Sequence, residues 1–199
     1  MEIASQLPEN VFGRRIYLMG YGFRFVFPSP TFKLGGIVML RIMKILLVLS
    51  VAMWGLLGAF GNVTQWSETT GAVAIVTSMS TFAGGAARWQ ATTNPAIIVA
   101  GALFITLFKI VAGLFCVAGA WRMWAARADD AANFAKAKAF ALVGCAVAIF
   151  GLFSGWIVIG EGWFEFWRSD MMREQAGETA FRYGGMIALI ALFVGTRDD

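Results

Sequence analysis

The sequence contains no histidine among its 199 residues, and this absence excludes several kinds of site. Haem, catalytic zinc and copper are usually held by imidazole ligands, so neither a haem-carrying membrane anchor nor a zinc enzyme is expected. The only cysteines, Cys116 and Cys145, lie inside apolar runs rather than at a metal-binding spacing. We therefore expect two buried, reduced thiols, no metal site and no cofactor.

Charged residues are also scarce, at 14% of the chain against 59% hydrophobic residues. These proportions leave too little polar surface to cover a water-soluble globule. The net charge is +4, but the cations lie between apolar runs and form no basic stripe, so no nucleic-acid partner is expected. The sequence has no Gly-rich phosphate loop and no nucleophile elbow, and it is not expected to be an enzyme.

What the chain does have is four apolar runs. They predict membrane spans at about residues 45–61, 96–121, 139–160 and 180–196, and the second is long enough to cross a core of roughly 30 Å with tilt. Six Lys or Arg residues precede the first span, four follow the second, and one lies in the tail. One follows the first span, and three lie within residues 161–182. The positive-inside rule then predicts an all-α, four-transmembrane-helix bundle in the bilayer with both termini in the cytoplasm.

A domain boundary is predicted at Met39. Residues 1–38 are expected to form a cytoplasmic N-terminal extension, and residues 39–199 the four-span membrane domain. Two alternatives concern the start of the chain. In one, translation begins at Met39 and the span is retained. In the other, the segment from Met39 is a signal peptide that is cleaved near Ala59-Phe60-Gly61. Amino-terminal sequencing of the purified protein distinguishes the three cases.

Lys109 lies near the middle of the second predicted span and needs an explanation. An ammonium group there costs roughly 2.5–3.5 kcal/mol on insertion scales, so we do not expect it to face lipid unpaired. In one interpretation it bonds to backbone carbonyls or to an acid of a partner subunit. In the other it is a buried cation that attracts a substrate anion. The nearest acids of the neighbouring span, Glu161 and Glu165, are expected at the outer edge of the membrane.

The segment from Glu161 to Arg168 combines aromatic and charged residues. Its aromatic residues, which fit an interfacial belt at headgroup level, are Trp163, Phe164, Phe166 and Trp167. A belt does not require the interspersed charges, and Glu161, Glu165 and Arg168 have the i, i+4, i+7 spacing of one helical face. The pattern predicts a short amphipathic helix on the outer surface that docks a partner or forms a cleft with residues 62–95.

Small residues recur at helical spacing inside the spans. Gly151 and Gly155 form a G-x-x-x-G pair, and Ala112, Cys116 and Ala120 recur every four residues. Such faces let helices approach closely in a bilayer. We expect most of these small-residue faces to pack within the bundle and the rest to form contacts in a homo-oligomer.

Ordered motifs in the two outer segments resemble those of a known family. The first segment contains Gly61-Asn62-Val63-Thr64, Ser78-Met79-Ser80-Thr81 and Arg88-Trp89-Gln90-Ala91 with Asn94-Pro95. The second contains Gly160-Glu161-Gly162-Trp163-Phe164, Trp167-Arg168-Ser169 and Ala180-Phe181-Arg182. Over about residues 39–196 the chain resembles a bacterial family of predicted small integral membrane proteins that is classed as a domain of unknown function. The resemblance implies four spans in a bacterial inner membrane and supplies no activity.

The chain departs from that family pattern in two regions. The family's first outer loop usually has a histidine before a Ser-Met-Asp-Thr stretch, whereas this chain has no histidine and has Ser80 in place of the aspartate. Lys109 lies where an acid is common in the family's second span. If those family residues form a metal or proton site, the resemblance implies that this chain has lost it.

These observations favour a non-catalytic accessory or scaffold protein of the bacterial inner membrane. Its periplasmic loops would contact a larger membrane complex or a second copy of the chain. The candidate interface or functional residues are Trp66, Arg88, Trp89, Lys109, Glu161, Trp163, Glu165, Trp167, Arg168 and Arg182. The alternative is a small transporter or channel that uses Lys109 to attract anions. An enzyme with Glu161 or Glu165 as acid and base ranks last, because no nucleophile or metal set accompanies them.

Overall fold

The long apolar runs form helices in the computed structural model, which describes residues 30–198. The first five helices are α1 (Pro30–Thr64), α2 (Trp66–Ser78), α3 (Pro95–Ala125), α4 (Ala131–Ala137) and α5 (Ala139–Gly151). A π-helical segment, Leu152–Trp163, continues α5. A 3₁₀ turn (Phe166–Arg168), α6 (Asp170–Met172), a π-helical turn (Arg173–Gly177) and α7 (Glu178–Gly195) complete the described chain. No β-strand occurs within it, so the all-α prediction is confirmed.

Four helical stretches have the length and composition of membrane spans. They are Gly35–Thr64, Pro95–Ala125, Ala131–Trp163 and Glu178–Gly195, and the shortest has 18 residues. At a rise of 1.5 Å per residue, about 20 residues cross the hydrocarbon core, so a four-span bundle is confirmed. At most 33% of each apolar window is buried inside the bundle. Exposed side chains such as Leu57, Phe60 and Leu192 form an apolar exterior suited to lipid.

Two predictions about the ends of the chain stay predictions. The predicted N-terminal extension comprises residues 1–38. Residues 1–29 lie outside the described residues, and residues 30–38 belong to α1. The N-in/C-in topology stays a prediction.

Local sequence signals account for the helix ends. Asn94 caps α3, because its side chain accepts a hydrogen bond from the Ala96 N–H at 2.9 Å, and Pro95 occupies the first helical position. Asp130 caps α4 by accepting from the Asn133 N–H at 2.8 Å. Helix α2 ends at Met79, whose φ of 51° is left-handed and stops the helix.

The spans pack in the order α1, α3, α5, α7, and small residues set the close contacts. Gly113 of α3 lies against Leu56 of α1, and Gly144 of α5 lies against Cys116 of α3. Both cysteines are fully buried free thiols at the α3–α5 contact. Helices α1 and α7 close the bundle through a smaller contact than the other neighbouring pairs. This α1–α7 seam is therefore the least tightly packed boundary between spans.

The bundle has two ends with different contents. We call the end with the α3–α4 connection and the C-terminal residues 196–198 the tail end. The opposite end, with α2, residues 79–94 and residues 164–177, is the loop end. Small apolar side chains fill the region between the ends, where Val48, Ala112 and Ala148 are fully buried.

The segment Glu161–Arg168 does not form the single amphipathic helix that its spacing predicts. The π-helical segment ends at Trp163, and Glu165 adopts a left-handed φ of 50° before the 3₁₀ turn begins. Phe164 and Phe166 turn inward and pack against Met79 and Met172. Burial of these two rings overrides the helical period, because a continuous helix would not place both rings in one inward-facing core.

Candidate functional site

Glu165 joins the two outer segments at the loop end. Its carboxylate accepts a hydrogen bond from the Arg88 guanidinium at 2.9 Å and another from the Arg168 guanidinium at 3.2 Å. Gln90 Nε2 lies 3.5 Å from the same carboxylate and 3.5 Å from the Trp163 carbonyl oxygen. The two outer segments are thus in direct contact at the position where a cleft was expected between them.

Aromatic side chains flank this ion-paired centre. The Trp89 and Trp163 rings meet edge to face with centroids 5.2 Å apart, a favourable arrangement for aromatic pairs. The Arg168 guanidinium lies 4.8 Å from the Phe82 ring centroid, within cation–π range. Trp89 is nevertheless 82% exposed. We call the set Phe82, Arg88, Trp89, Gln90, Trp163, Glu165 and Arg168 the loop-end cluster.

A small hydrophobic core holds the loop-end cluster in place. It consists of Val76, Met79, Phe164, Phe166 and Met172, all buried. The left-handed residues Met79 and Glu165 each follow the end of a helix, where they turn the chain from that helix into the cluster. Packed side chains from α2, from α6 and from residues 164–166 therefore support the cluster.

Lys109 occupies a notch between α1 and α3. A Cβ atom placed on Gly58 would lie 3.3 Å from Lys109 Cδ and 3.4 Å from Lys109 Nζ, so the absent side chain leaves room for the lysine. Lys109 Nζ donates to Asn62 Oδ1 at 3.4 Å, and Asn62 Nδ2 reaches Thr106 Oγ1 at 3.5 Å. Asn62 lies two residues before the end of α1, so the lysine amine is level with the loop-end termination of that helix.

Lys109 also lines a cavity of about 380 Å³ at the loop-end side of the α1–α7 seam. The other lining residues are mostly apolar or aromatic: Trp54, Ala72, Ile75, Leu152, Trp156, Met171, Met172, Ala176, Thr179, Ala180 and Tyr183. A second cavity of about 650 Å³ lies between the third and fourth spans, and its lining includes Glu161, Arg173 and Glu178. The lining of the first cavity contains one cationic side chain, whereas the lining of the second contains both acidic and basic side chains.

The remaining predicted residues are not part of the contacts that form the loop-end cluster. Trp66 begins α2, where its carbonyl accepts from the Thr70 hydroxyl at 3.0 Å. Glu161 lines the larger cavity, and Trp167 is 51% exposed on the 3₁₀ turn. Arg182 is exposed on α7, with its guanidinium 5.7 Å from the Tyr183 ring centroid. The structure brings together Arg88, Trp89, Trp163, Glu165 and Arg168, and within the described residues the others make no hydrogen bond or ion pair with them.

A second polar cluster, absent from the sequence-based candidates, is buried at the tail end. Asp198 accepts from Lys44 Nζ at 2.7 Å and from Lys138 Nζ at 2.5 Å. Both ammonium groups also donate to the Thr196 carbonyl oxygen, at 2.9 Å and 2.8 Å respectively. Arg41 donates to the Asp129 carbonyl oxygen at 2.6 Å, and its guanidinium lies 4.6 Å from the Phe134 ring. We call Arg41, Lys44, Lys138, Thr196 and Asp198 the tail-end cluster.

The tail-end cluster is almost completely shielded from solvent. Lys44 is 0% exposed, Lys138 is 4% and Asp198 is 5%. Burial opposes ionisation of Asp198, but the hydrogen bonds and positive charges of Lys138 and Lys44 outweigh it and hold the pKa of this carboxyl below its usual value. The signal in the sequence was Arg41 and Lys44, which interrupt an apolar run three residues apart.

These features define the class of the protein as a four-span, all-helical integral membrane protein with polar clusters at both ends of the bundle. Residues 40–197 match the family described as "Predicted small integral membrane protein (DUF2165)", and the chain belongs to that family. The match agrees with the family resemblance of the sequence motifs. No curated protein and no solved structure matches the chain.

Proposed function

We propose that the protein is a non-catalytic accessory subunit of the bacterial inner membrane that contacts a larger membrane complex through the loop-end cluster. One observation carries this proposal: Trp89 is 82% exposed, yet its ring packs against Trp163 beside the Arg88–Glu165 ion pair. Exposed tryptophan and arginine side chains are the residues that most often dominate binding energy at protein interfaces. Their fixed positions reduce the entropy lost when a partner binds.

An interfacial aromatic belt explains the tryptophans less completely. A belt needs only amphipathic rings at headgroup depth. Here Glu165 additionally ties Arg88 of one segment to Arg168 of the other, and Gln90 approaches both Glu165 and the Trp163 carbonyl. These links fix the relative positions of two segments that are far apart in the chain. A docking surface benefits from that rigidity, whereas a lipid anchor does not require it.

The topology rests on the distribution of cations between the two ends. Within residues 30–198, eight Lys or Arg residues belong to the tail end, namely Lys33, Arg41, Lys44, Arg122, Arg127, Lys136, Lys138 and Arg197. The four at the loop end are Arg88, Arg168, Arg173 and Arg182. The positive-inside rule then favours a cytoplasmic tail end and a periplasmic loop end. The proposed partner surface is accordingly periplasmic.

Site-specific photo-crosslinking in native membranes tests the proposal. A photoreactive phenylalanine analogue at position 89 is expected to form one discrete adduct with another membrane protein or with a second copy of the chain. Trp121 provides a matched control position, because it is 75% exposed but lies on α3 toward the tail end. We expect only lipid adducts there. Identical lipid adducts at both positions, together with a clean monomer in mild detergent, would contradict the proposal.

A small anion transporter is the second candidate, favoured by the position of Lys109 in the wall of a cavity. Transporters usually build such sites from paired interrupted helices, and the described spans carry only one cation in a cavity of this kind. Anion flux into liposomes that is lost in a Lys109→Met variant would support this function over the first. Equal flux in the variant and the wild type would exclude a role for Lys109 in transport.

A further inference from the structure

The α1–α7 seam is joined at the tail end and open at the loop end. At the tail end, Lys44 of α1 is ion-paired with Asp198, three residues beyond the end of α7. Farther along, the Trp54 and Tyr183 rings bridge the seam with centroids 5.9 Å apart. These two rings also line the cavity that contains Lys109, whose wall includes Thr179 and Ala180 at the start of α7. Because α1 and α7 are both membrane spans and both contribute to the cavity wall, a lipid that enters between them reaches Lys109.

The cavity pairs one cation with an apolar wall. No carboxylate among residues 30–198 lies within ion-pair distance of Lys109. Its described hydrogen bond, to Asn62 Oδ1, is long at 3.4 Å, and an ammonium group has three donors. Trp54, Trp156 and Tyr183 supply aromatic surface beside it. An occupant that suits this wall has an apolar body and one anionic group.

We propose that this cavity binds an anionic phospholipid, with the phosphate at Lys109 Nζ and part of an acyl chain against Trp54, Trp156 and Tyr183. Charge complementarity selects the anionic headgroup, because the phosphate of a zwitterionic lipid is already neutralised by the cation of its own headgroup. The apolar lining selects a lipid over a water-soluble anion, which would need several polar donors. Lys109 lies midway along α3, and its side chain extends toward Asn62 near the end of α1, which brings the ammonium group closer to the headgroup level. The inference is independent of the proposed partner surface.

Native mass spectrometry of the full-length protein in mild detergent tests the headgroup. Phosphatidylglycerol and phosphatidylcholine with identical chains are the two probes. The wild type is expected to retain one phosphatidylglycerol at least about tenfold more strongly than phosphatidylcholine, and Lys109→Met is expected to remove this preference. Lys109→Arg should keep it. The matched control is Lys136→Met, which removes an exposed lysine at the tail end and should bind as the wild type does.

A Thr179→Phe variant tests the acyl-chain part, because it fills the cavity without altering a charge. We expect it to lose phosphatidylglycerol while it keeps the helical circular dichroism and elution volume of the wild type. Equal retention of the two lipids by the wild type, or unchanged phosphatidylglycerol binding in Lys109→Met or Thr179→Phe, would overturn the proposal. Displacement of the lipid by millimolar inorganic phosphate would also overturn it, because the site would then be one for free anions.

Discussion

Asp198 accepts a hydrogen bond from Lys44 at 2.7 Å, although 154 positions separate the two residues in the sequence. The contact joins the first span to the segment that follows the last one. Lys138 donates to the other oxygen of the same carboxylate, so the start of the third span is tied to it as well. One acidic side chain thus holds three spans together at the tail end of the bundle.

Asp198→Asn is expected to destabilise the bundle by about 3 kcal/mol or more. Removal of one partner from a buried ion pair leaves an uncompensated charge, and such changes are strongly destabilising. Here two buried ammonium groups, those of Lys44 and Lys138, would lose their only described carboxylate. Thermal unfolding of the purified protein in mild detergent measures the effect.

The control for that experiment is Asp170→Asn. Asp170 also forms an ion pair, with Arg173 at 3.2 Å, but its side chain is 89% exposed. Exposed pairs contribute little to stability, so the melting temperature should change only slightly. Equal losses of stability in the two variants would show that the burial of Asp198 does not determine how much its ion pairs stabilise the bundle.

The stability of the wild type should fall at low pH in a manner that depends on Asp198. The folded-state pKa of this carboxyl lies below its usual value of 3.8, because Lys138 and Lys44 favour the ionised form over the cost of burial. A carboxyl with a lowered pKa contributes stability above the unfolded pKa and loses that contribution as the pH falls through the folded value. Melting temperatures measured from about pH 7 to pH 3 should show this loss in the wild type.

The same pH series on Asp198→Asn isolates the group responsible. The charged groups that contact Asp198, namely Arg41, Lys44 and Lys138, are present in both proteins. The other carboxyls are common to both proteins and cancel in the difference. The variant should therefore be less stable at neutral pH and show a weaker decline on acidification. Parallel curves would contradict this assignment.

The four helices could be predicted because apolar length is a local property of the sequence. The polar clusters depend on contacts that no local pattern encodes. Arg88 meets Glu165 across 77 positions, and the pairing requires Glu165 to leave the helical conformation. The period of the segment predicted a helix there, and inward packing of Phe164 and Phe166 prevented it. Lys109 stands out in the sequence as a charge inside a span, but the cavity beside it is formed by residues that are far apart in the chain.

Gly144→Ala should destabilise the α3–α5 contact by about 1–3 kcal/mol, the usual cost of overpacking. A Cβ at this position would lie 2.6 Å from Cys116 Sγ and 2.8 Å from the Ala112 carbonyl oxygen. Gly61→Ala is the matched control, because a Cβ there meets nothing within 4 Å. Alanine also favours a helix over glycine, so this variant should unfold at the same temperature as the wild type or a higher one. The comparison uses thermal unfolding in detergent.

Glu165→Gln should loosen the loop-end cluster without unfolding the bundle. Partly exposed ion pairs contribute up to about 1 kcal/mol, so the global melting temperature should hardly move. Trypsin cleavage after Arg88 is expected to accelerate about fivefold, since 1 kcal/mol changes the population of a local open state by roughly that factor. Glu68→Gln is the control, because Glu68 makes no ion pair within the described chain. Equal cleavage rates in the two variants would show that Glu165 does not hold the segment.

Cysteine labelling can decide which end of the bundle faces the cytoplasm. Cys116 and Cys145 are 0% exposed, so the wild type should give little background with a membrane-impermeant maleimide. The Ser80→Cys variant places a thiol at the exposed loop end, and Ala132→Cys places one at the exposed tail end. In intact spheroplasts we expect only the Ser80→Cys variant to be labelled, and both variants after permeabilisation.

The burial of tail-end cations bears on this expectation. Arg41, Lys44 and Lys138 are shielded in the folded bundle, and they make up three of the eight cations that residues 30–198 place at that end. Orientation is set while the spans insert, and at that stage the tail-end cluster has not formed. All eight cations then act against translocation of the tail end, so the loop end, which has four, should cross the membrane. Labelling of Ala132→Cys alone in intact spheroplasts would place the loop-end cluster in the cytoplasm and remove the basis for a periplasmic partner.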